Sequence, residues 1–141
     1  HEIIGPILAK ITLKVAGEAG KDYHPVMGFL RPDGIIVNLE AGDKWEAIRK
    51  LVAHLARIYS LTSSEEETLL ASVVEREKSL TTGIGHGLAI PHGVLEGSGP
   101  IMGVMGISQQ GIDFGSLDGD IAHIIHLTSV HRDQLASHLD V

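Results

Sequence analysis

Residues 82–93 read Thr-Gly-Ile-Gly-His-Gly-Leu-Ala-Ile-Pro-His-Gly, and this stretch carries the clearest chemical pattern in the chain. Its three alternating glycines are Gly83, Gly85 and Gly87. Such glycines let the backbone approach a ligand and turn N–H groups inward, as in an anion-binding nest. Pro91 restricts the chain before His92, and Gly93 frees it afterwards. His92 is therefore a candidate nucleophile or ligand, and the alternative is a glycine-rich turn with a surface histidine.

Composition narrows the function that this stretch can serve. The chain has 141 residues, which suits one domain, and a net charge of −7. Residues 63–141 hold 3 basic and 11 acidic side chains, so this part repels phosphate backbones and suits a basic protein partner better than nucleic acid. Since the chain contains no cysteine, disulfides, thiolate nucleophiles and zinc ribbons are excluded. The glycine spacing also differs from the dinucleotide fingerprint, and no Lys-Ser or Lys-Thr follows it as in a P-loop.

Two helices are predicted upstream of the glycine-rich stretch. Asp43 stands three residues before Glu46, the spacing of a capping box. An apolar stripe at helical period follows, formed by Trp45, Ile48, Val52, Leu55 and Tyr59. A second helix is expected to open at Ser63, with Glu66 three residues on. Its buried residues are expected to be Leu69, Leu70, Val73 and Val74.

Strands alternate with these helices. Ile35-Ile36-Val37 with Leu39 forms a short β-rich run, and residues 101–107 and 121–130 are the later apolar strands, separated by a loop over 109–120. A further helix is predicted over residues 134–141. The alternation indicates an α/β fold in which helices cover a sheet.

Several segments together resemble a known family: Arg76-Glu77-Lys78, residues 82–93, Gly111-Ile112-Asp113-Phe114 and Leu117-Asp118-Gly119. They are similar to enzyme IIA domains of the bacterial phosphoenolpyruvate:sugar phosphotransferase system, of the fructose/mannitol type that includes the nitrogen-regulatory proteins. The resemblance runs from about Gly34 to Val141. It implies a mixed β-sheet flanked by helices, truncated at the C-terminus because such domains continue beyond the position of His138.

The resemblance also implies roles for individual residues. His92 would accept a phosphoryl group from the phosphocarrier protein HPr and pass it to a IIB domain. Arg76 matches the arginine that contacts phosphate, and His138 matches a second active-site histidine. Backbone N–H groups of the glycine loop, Gly83, Gly85, Gly87 and the intervening His86, could bind the remaining phosphate oxygens.

These roles are chemically reasonable. Imidazole titrates near neutral pH, so a neutral nitrogen can attack phosphorus without a separate strong base. Phosphoryl transfer depends mainly on positioning and charge stabilisation, and Arg76 offers a planar fork that stays charged. His138 could hydrogen-bond the phosphoryl group or fix the active tautomer of His92. The chemistry requires no metal and no cofactor.

The other histidines and acidic residues have simpler interpretations. His123 and His126 are three apart in a strand and point to opposite faces, so they cannot chelate a metal together. His86 is expected to face solvent, and His54 to lie at a half-buried edge of the first helix. The acidic run 65–67 complements a helix N-terminus. The acidic residues of the later loop, Asp113, Asp118 and Asp120, are expected in turns.

The first 33 residues leave two alternatives open. Residues 3–15 are apolar but contain Gly5-Pro6 and two lysines, which makes them too short and too charged to span a bilayer. They could be the cytoplasmic exit of a membrane segment that lies upstream, or an amphipathic helix on the domain itself. Residues 17–34 then resemble a linker. The expected division is an N-terminal segment over 1–33 and a IIA-like domain over 34–141.

The motifs and the family resemblance point to two functions. The first is a cytoplasmic phosphoryl carrier that serves a sugar permease through its IIB domain. The second is a regulatory IIA-like domain that gates an attached or partner membrane transporter, for example a cation/proton antiporter. In the second case the chain would be the cytoplasmic part of an inner-membrane protein.

Overall fold

The computed structural model describes residues 30–133, in which a six-stranded sheet is combined with two helices. The strands are β1 (Leu30–Ile36), β2 (Gly83–Gly85), β3 (Leu88–Ala89), β4 (His92–Leu95), β5 (Met102–Ile112) and β6 (Ala122–His131). The helices are α1 (Lys44–Ile58) and α2 (Ser63–Ser79). Within this part of the chain, neither helix is long and apolar enough to cross a membrane.

The sheet is mixed. Its order is β1-β5-β6-β3-β2, and β4 also pairs with β6. β5 and β6 are antiparallel and form the longest ladder, whereas β1 is parallel to β5, and β3 and β4 are parallel to β6. β2 and β3 form an antiparallel hairpin. The predicted mixed sheet flanked by helices is therefore confirmed.

Both helices begin with side-chain caps, although neither capping arrangement is the one predicted. The Asp43 carboxylate accepts a hydrogen bond from the Glu46 N–H at 2.9 Å, but the Glu46 carboxylate accepts from the Gly42 N–H and not from the cap residue. α2 has a complete capping box between Thr62 and Glu65, with bonds of 2.9 and 3.1 Å. The helix starts at Ser63 as predicted, but its capping pair lies one residue earlier than the predicted pair.

Both helices pack on the same face of the sheet. A Cβ at Gly106 of β5 would lie 2.6 Å from the Leu39 side chain and 3.2 Å from that of Leu51 in α1, and a Cβ at Gly93 of β4 would lie 2.7 Å from Val73 in α2. Gly106 pairs with Ile125 and Gly93 pairs with Ser129. Since residues 125 and 129 of β6 point to one side, α1 and α2 share that side.

The predicted apolar stripes form the core between the helices and this face. The buried members are Ile48, Val52, Leu55, Leu69 and Val73. The partly buried members that pack against them are Trp45, Tyr59, Leu70 and Val74. The helical period therefore identified the inward faces correctly, with the bulkier or peripheral positions at the rim.

Two strand boundaries differ from the sequence-based expectation. β1 begins at Leu30, inside the segment assigned to the linker and to the N-terminal region 1–33, and Val37 lies beyond its end. β5 continues to Ile112, through Gln109 and Gln110, which were expected in a loop. Ile112 still pairs with Ala122 beyond an irregularity in the ladder. Main-chain pairing extends both strands through polar residues, which a hydropathy pattern assigns to loops. The helix predicted over residues 134–141 lies outside the described residues.

Candidate functional site

His92 is the first residue of β4 and lies within a longer segment that keeps one register against β6. Leu88 pairs with Ile124 and His92 pairs with Thr128, so residues 88–95 follow β6 with a constant offset. The segment divides into β3 and β4 only around Pro91, which has no N–H to donate to the ladder. The Pro91 carbonyl still accepts a hydrogen bond from the Thr128 N–H at 3.1 Å.

Alternation along this segment places His92 on the face away from the helices. The buried residues, which face the core, are Ala89, Pro91, Gly93 and Leu95. The opposite side carries the more accessible Leu88, Ile90, His92 and Val94. Gly93 faces α2, so His92 points the other way and remains half-buried. Small residues on the core side let α2 approach, while the imidazole stays accessible.

The ring of His92 is oriented by the main chain. Its Nδ1 lies 3.0 Å from the Ile90 carbonyl oxygen. A carbonyl oxygen only accepts hydrogen bonds, so Nδ1 carries the proton and donates it. The neutral imidazole is thereby held in the tautomer whose lone pair is on Nε2. This arrangement suits a nucleophile that reacts at Nε2.

Arg76 lies on the face of α2 that meets β4. The Ser72 hydroxyl accepts a hydrogen bond from the Val94 N–H at 2.9 Å, and Arg76 follows Ser72 by one helical turn. Near the end of α2, the Glu77 carboxylate accepts a hydrogen bond from the Thr82 N–H, and the Thr82 carbonyl accepts one from the Ile90 N–H. α2 therefore runs antiparallel to β4, with Arg76 near the level of His92. The Arg76 guanidinium donates to the Leu80 carbonyl at 2.9 Å and has no hydrogen bond to His92, which points to the face of the sheet opposite to α2.

The glycine-rich loop forms a tight β-hairpin. His86 and Gly87, its two turn residues, have φ values of 57° and 79°, as in a type I′ turn. The Gly83 N–H donates to the Thr81 hydroxyl, and the His86 N–H donates to the Asp118 carboxylate, both at 3.0 Å. These amides are thus already engaged. They would have to exchange partners in order to bind phosphate.

The hairpin is also directed away from His92. Leu88 and His92 are four residues apart along β6, which corresponds to about 13 Å. The turn at His86 lies beyond Leu88, so the structure does not bring His86 to His92, and its side chain is exposed as expected. Gly83 pairs with Ala89 and lies nearer to the histidine.

Glu77 is the residue that sequence reasoning missed. It is only 2% exposed, and its carboxylate accepts hydrogen bonds from the Thr82 N–H at 3.0 Å and the Thr82 hydroxyl at 2.5 Å. It also forms an ion pair of 3.2 Å with Lys44. One signal was available: Glu77 continues the buried series Leu69, Val73 at four-residue spacing, so the inward stripe of α2 ends in a carboxylate.

The remaining candidates have the structural roles that were expected. His123 and His126 lie on opposite faces of β6, and His123 Nδ1 donates to the Ser108 carbonyl at 2.9 Å. His54 is half-buried and bonds the Asp33 carbonyl at 2.7 Å. Burial lowers the pKa of His126.

The acidic residues of the later loop are turn residues. The carboxylates of Asp113 and Asp118 accept from the N–H groups of Gly115 and Asp120, at 2.8 and 3.0 Å. The N–H groups of Asp120 and then of His86 lower the pKa of Asp118. Between residues 30 and 133, no three His, Asp or Glu side chains are grouped so that they could hold a metal ion. His138 lies outside the described residues.

Comparison with known proteins identifies this architecture. The family described as phosphoenolpyruvate-dependent sugar phosphotransferase system, EIIA 2, matches residues 28–141. A nitrogen regulatory protein of Bradyrhizobium diazoefficiens is 32% identical over 115 residues, which are 82% of this chain and 73% of that protein.

Solved structures share the fold. Nitrogen regulatory protein IIA-Ntr from Neisseria meningitidis has a TM-score of 0.69 and 26% identity, covering 82% of this chain and 77% of that one. Enzyme IIA mannitol of Escherichia coli, in its complex with phosphorylated enzyme IIB mannitol, has a TM-score of 0.61 and 21% identity, covering 79% and 78%. The latter likeness concerns the fold alone.

The mixed sheet with its helices is therefore that of an EIIA-type domain. The chain belongs to the EIIA 2 family of the phosphoenolpyruvate-dependent sugar phosphotransferase system. EIIA domains of this family are phosphoryl-transfer carriers that use a histidine. The resemblance stated from residues 76–78 and 82–93 is confirmed.

Proposed function

We propose that this chain is a phosphoryl carrier that accepts a phosphoryl group from phospho-HPr on His92 and passes it to a IIB domain. The observation that carries this proposal is the hydrogen bond from His92 Nδ1 to the Ile90 carbonyl, which leaves the lone pair on Nε2 of an accessible ring. Membership of the EIIA family supports it.

The transfer step follows from this tautomer. The Nε2 lone pair attacks phosphorus, and a nitrogen–phosphorus bond forms while the bond between phosphorus and the donor breaks. The donor keeps that electron pair, and the Nδ1 proton stays in its hydrogen bond to the Ile90 carbonyl. The same exchange in the opposite sense delivers the group to a IIB domain. Because the transition state is loose, positioning and charge provide most of the catalysis.

Three further groups complete the proposed site. Arg76 starts from the helix-covered face of the sheet, so its side chain would have to leave the Leu80 carbonyl and extend around β4 to reach phosphoryl oxygens on His92, to which its planar fork is suited. Among the glycine amides, that of Gly83 is nearer to His92 than the turn at residues 86–87. His138 is the proposed second histidine, which would contact the phosphoryl group or steady the His92 ring.

The test is intact-mass analysis after incubation with phosphoenolpyruvate, enzyme I and HPr. The wild-type chain should gain one acid-labile phosphoryl group, and His92→Ala should gain none. His54→Gln is the matched control, because it removes an imidazole from α1 and should leave the gain unchanged. No gain in the wild type, or an undiminished gain in His92→Ala, would contradict the proposal.

A regulatory role is the second candidate, favoured by the similarity to nitrogen regulatory proteins. In this case the domain would be cytoplasmic, and an attached or partner membrane transporter would respond to the phosphorylation state of His92. The two roles differ in the fate of the phosphoryl group. Addition of a IIB domain should remove it from a carrier, whereas on a regulatory domain it should persist and change binding to the transporter.

A further inference from the structure

We propose that Glu77 is a positioning residue for His92, acting through Thr82 and the Ile90 main chain. The inference rests on the proposed function, because the atom that Glu77 orients is the nucleophile assigned there. Glu77 has no direct contact with His92 among the described residues. It holds the peptide groups that fix the imidazole.

The Glu77 carboxylate lies where three parts of the chain meet. It is at the end of α2, it pairs with Lys44 from the first turn of α1, and it accepts both hydrogen bonds that Thr82 donates from the start of the glycine-rich segment. Its side chain is fully buried, whereas that of Lys44 is 20% exposed. A buried carboxylate is costly unless its oxygens are satisfied, and here four hydrogen-bond contacts from two residues satisfy them.

A continuous series of hydrogen bonds leads from this carboxylate to the imidazole. The Thr82 N–H and hydroxyl donate to Glu77, and the Thr82 carbonyl accepts from the Ile90 N–H at 3.0 Å. The Ile90 carbonyl then accepts from His92 Nδ1, also at 3.0 Å. The N–H and the C=O of one residue belong to adjacent peptide groups that meet at its Cα, so each link restrains the residue that carries the next link, and the placement of the Ile90 carbonyl depends on Thr82.

This placement determines which nitrogen of His92 is reactive. With the Ile90 carbonyl in place, the Nδ1-protonated tautomer is stabilised and Nε2 keeps its lone pair. If Thr82 is released, the Ile90 carbonyl loses its fixed position and the Nε2-protonated tautomer becomes more populated. That tautomer has no lone pair at Nε2, so the phosphoryl-transfer rate falls with the reactive fraction while partner binding is unaffected.

The direct test measures the tautomer of His92 by ¹⁵N NMR in the unphosphorylated chain, at alkaline pH where imidazole is neutral. Thr82→Val keeps the side-chain shape and the N–H but removes the hydroxyl that donates to Glu77. We expect this change to shift the tautomer ratio by about fivefold, the equivalent of one hydrogen bond of ~1 kcal/mol. Glu77→Gln retains an acceptor oxygen and should give a smaller shift than Glu77→Ala.

Lys44→Met is the control for a purely structural role. It removes the ion pair with Glu77 and lowers stability, but it leaves the Thr82–Ile90–His92 bonds in place. We expect the tautomer ratio of Lys44→Met to equal that of the wild type. The kcat for phosphoryl transfer should fall only in the Thr82 and Glu77 variants, and their KM for phospho-HPr should stay unchanged. Glu75→Gln, an exposed change on the same helix, should alter neither.

Equal tautomer shifts in Lys44→Met and Thr82→Val, or no shift in Thr82→Val and Glu77→Gln, would overturn the inference. The outcome does not depend on the proposed function, since the tautomer is read without phosphorylation. A chain that HPr does not phosphorylate but whose tautomer shifts as expected would refute the proposed carrier role alone.

Discussion

The side chains of Glu77 and His126 are both largely buried, but they differ in whether their buried polar atoms have hydrogen-bond partners. Glu77 accepts hydrogen bonds from Thr82 and an ion pair from Lys44. The buried Nε2 of His126 has no hydrogen-bond partner among the described residues. Burial without a partner disfavours the charged imidazolium, which is why the pKa of His126 lies below its ordinary value of 6.5. The neutral ring is therefore the form that the folded chain accommodates.

Stability should consequently fall as the pH is lowered. Because the pKa of His126 is lowered on folding, the unfolded chain takes up this proton more readily than the folded chain. The loss begins as the pH falls through about 6.5 and continues to the pKa of the folded state. We expect His126→Leu to flatten the decrease in Tm between about pH 7 and pH 5.5.

The matched control for this pH effect is His86→Asn. His86 is exposed at a left-handed turn position that asparagine tolerates, so its removal should leave the slope of the wild type. An unchanged slope in His126→Leu would contradict the assignment of this titration to His126.

Sequence reasoning singled out the proposed nucleophile but missed the residue that we propose positions it. Pro91-His92-Gly93 is a conspicuous local pattern, so His92 could be singled out without any structure. Glu77 belongs to the same quoted motif and to the buried stripe of α2, but a charged residue near a helix end is usually solvated. Its four hydrogen-bond contacts come from positions 44 and 82, and such a distant meeting of residues is set by tertiary structure.

At the scale of elements, the segment 88–95 serves two purposes with alternate residues. Its core-facing positions are small or rigid and allow α2 to lie close, while the other face presents His92. Gly93 is the position of closest approach, since a Cβ there would lie 2.7 Å from Val73 and 2.9 Å from Leu69. The close contact between α2 and β4 therefore requires a residue without a side chain at position 93.

Gly93→Ala should destabilise the chain by about 1–3 kcal/mol, because the added methyl group overpacks this contact and displaces α2. Urea denaturation measures the change. Gly42→Ala is the comparison, since a Cβ at Gly42 would meet only the Glu46 carboxylate at 3.5 Å, an ordinary contact. Equal stabilities of the two variants would show that α2 can move away without cost.

The predicted elements differ in how well local patterns define them. α1 and α2 have long apolar periods and side-chain caps, so their existence and inward faces were predictable. The start of β1 at Leu30 and the continuation of β5 through Gln109 depend on pairing with a neighbouring strand. The hairpin over residues 83–89 was expected as an anion nest, since glycines at positive φ serve both structures and the sequence does not distinguish them.

At the scale of the whole molecule, charge is unevenly distributed along the chain. Residues 63–141 carry 11 acidic and 3 basic side chains, and this part includes His92. Such an excess attracts a basic protein partner over distances comparable to the Debye length, about 10 Å at 0.1 M salt. Association with such a partner should therefore be faster at low ionic strength, which raises the transfer rate.

Raising NaCl from about 0.05 to 0.5 M should slow phosphorylation by a basic phospho-donor protein several-fold, through slower encounter. The measurement is the second-order rate constant from quenched-flow mass analysis. Thermal unfolding in the same salt series shows whether the fold itself is affected. A rate constant independent of salt would show that the acidic excess plays no part in partner association.

The placement of α1 and α2 on one face of the sheet also has a kinetic consequence. His92 points to the other face, so neither helix stands between a docking protein and Nε2. In the proposed carrier, exchange of the phosphoryl group would therefore need no prior opening by these two helices. Its rate would then depend on how often a partner protein arrives and on the chemical step, so the concentration of the partner would control the flux of phosphoryl groups.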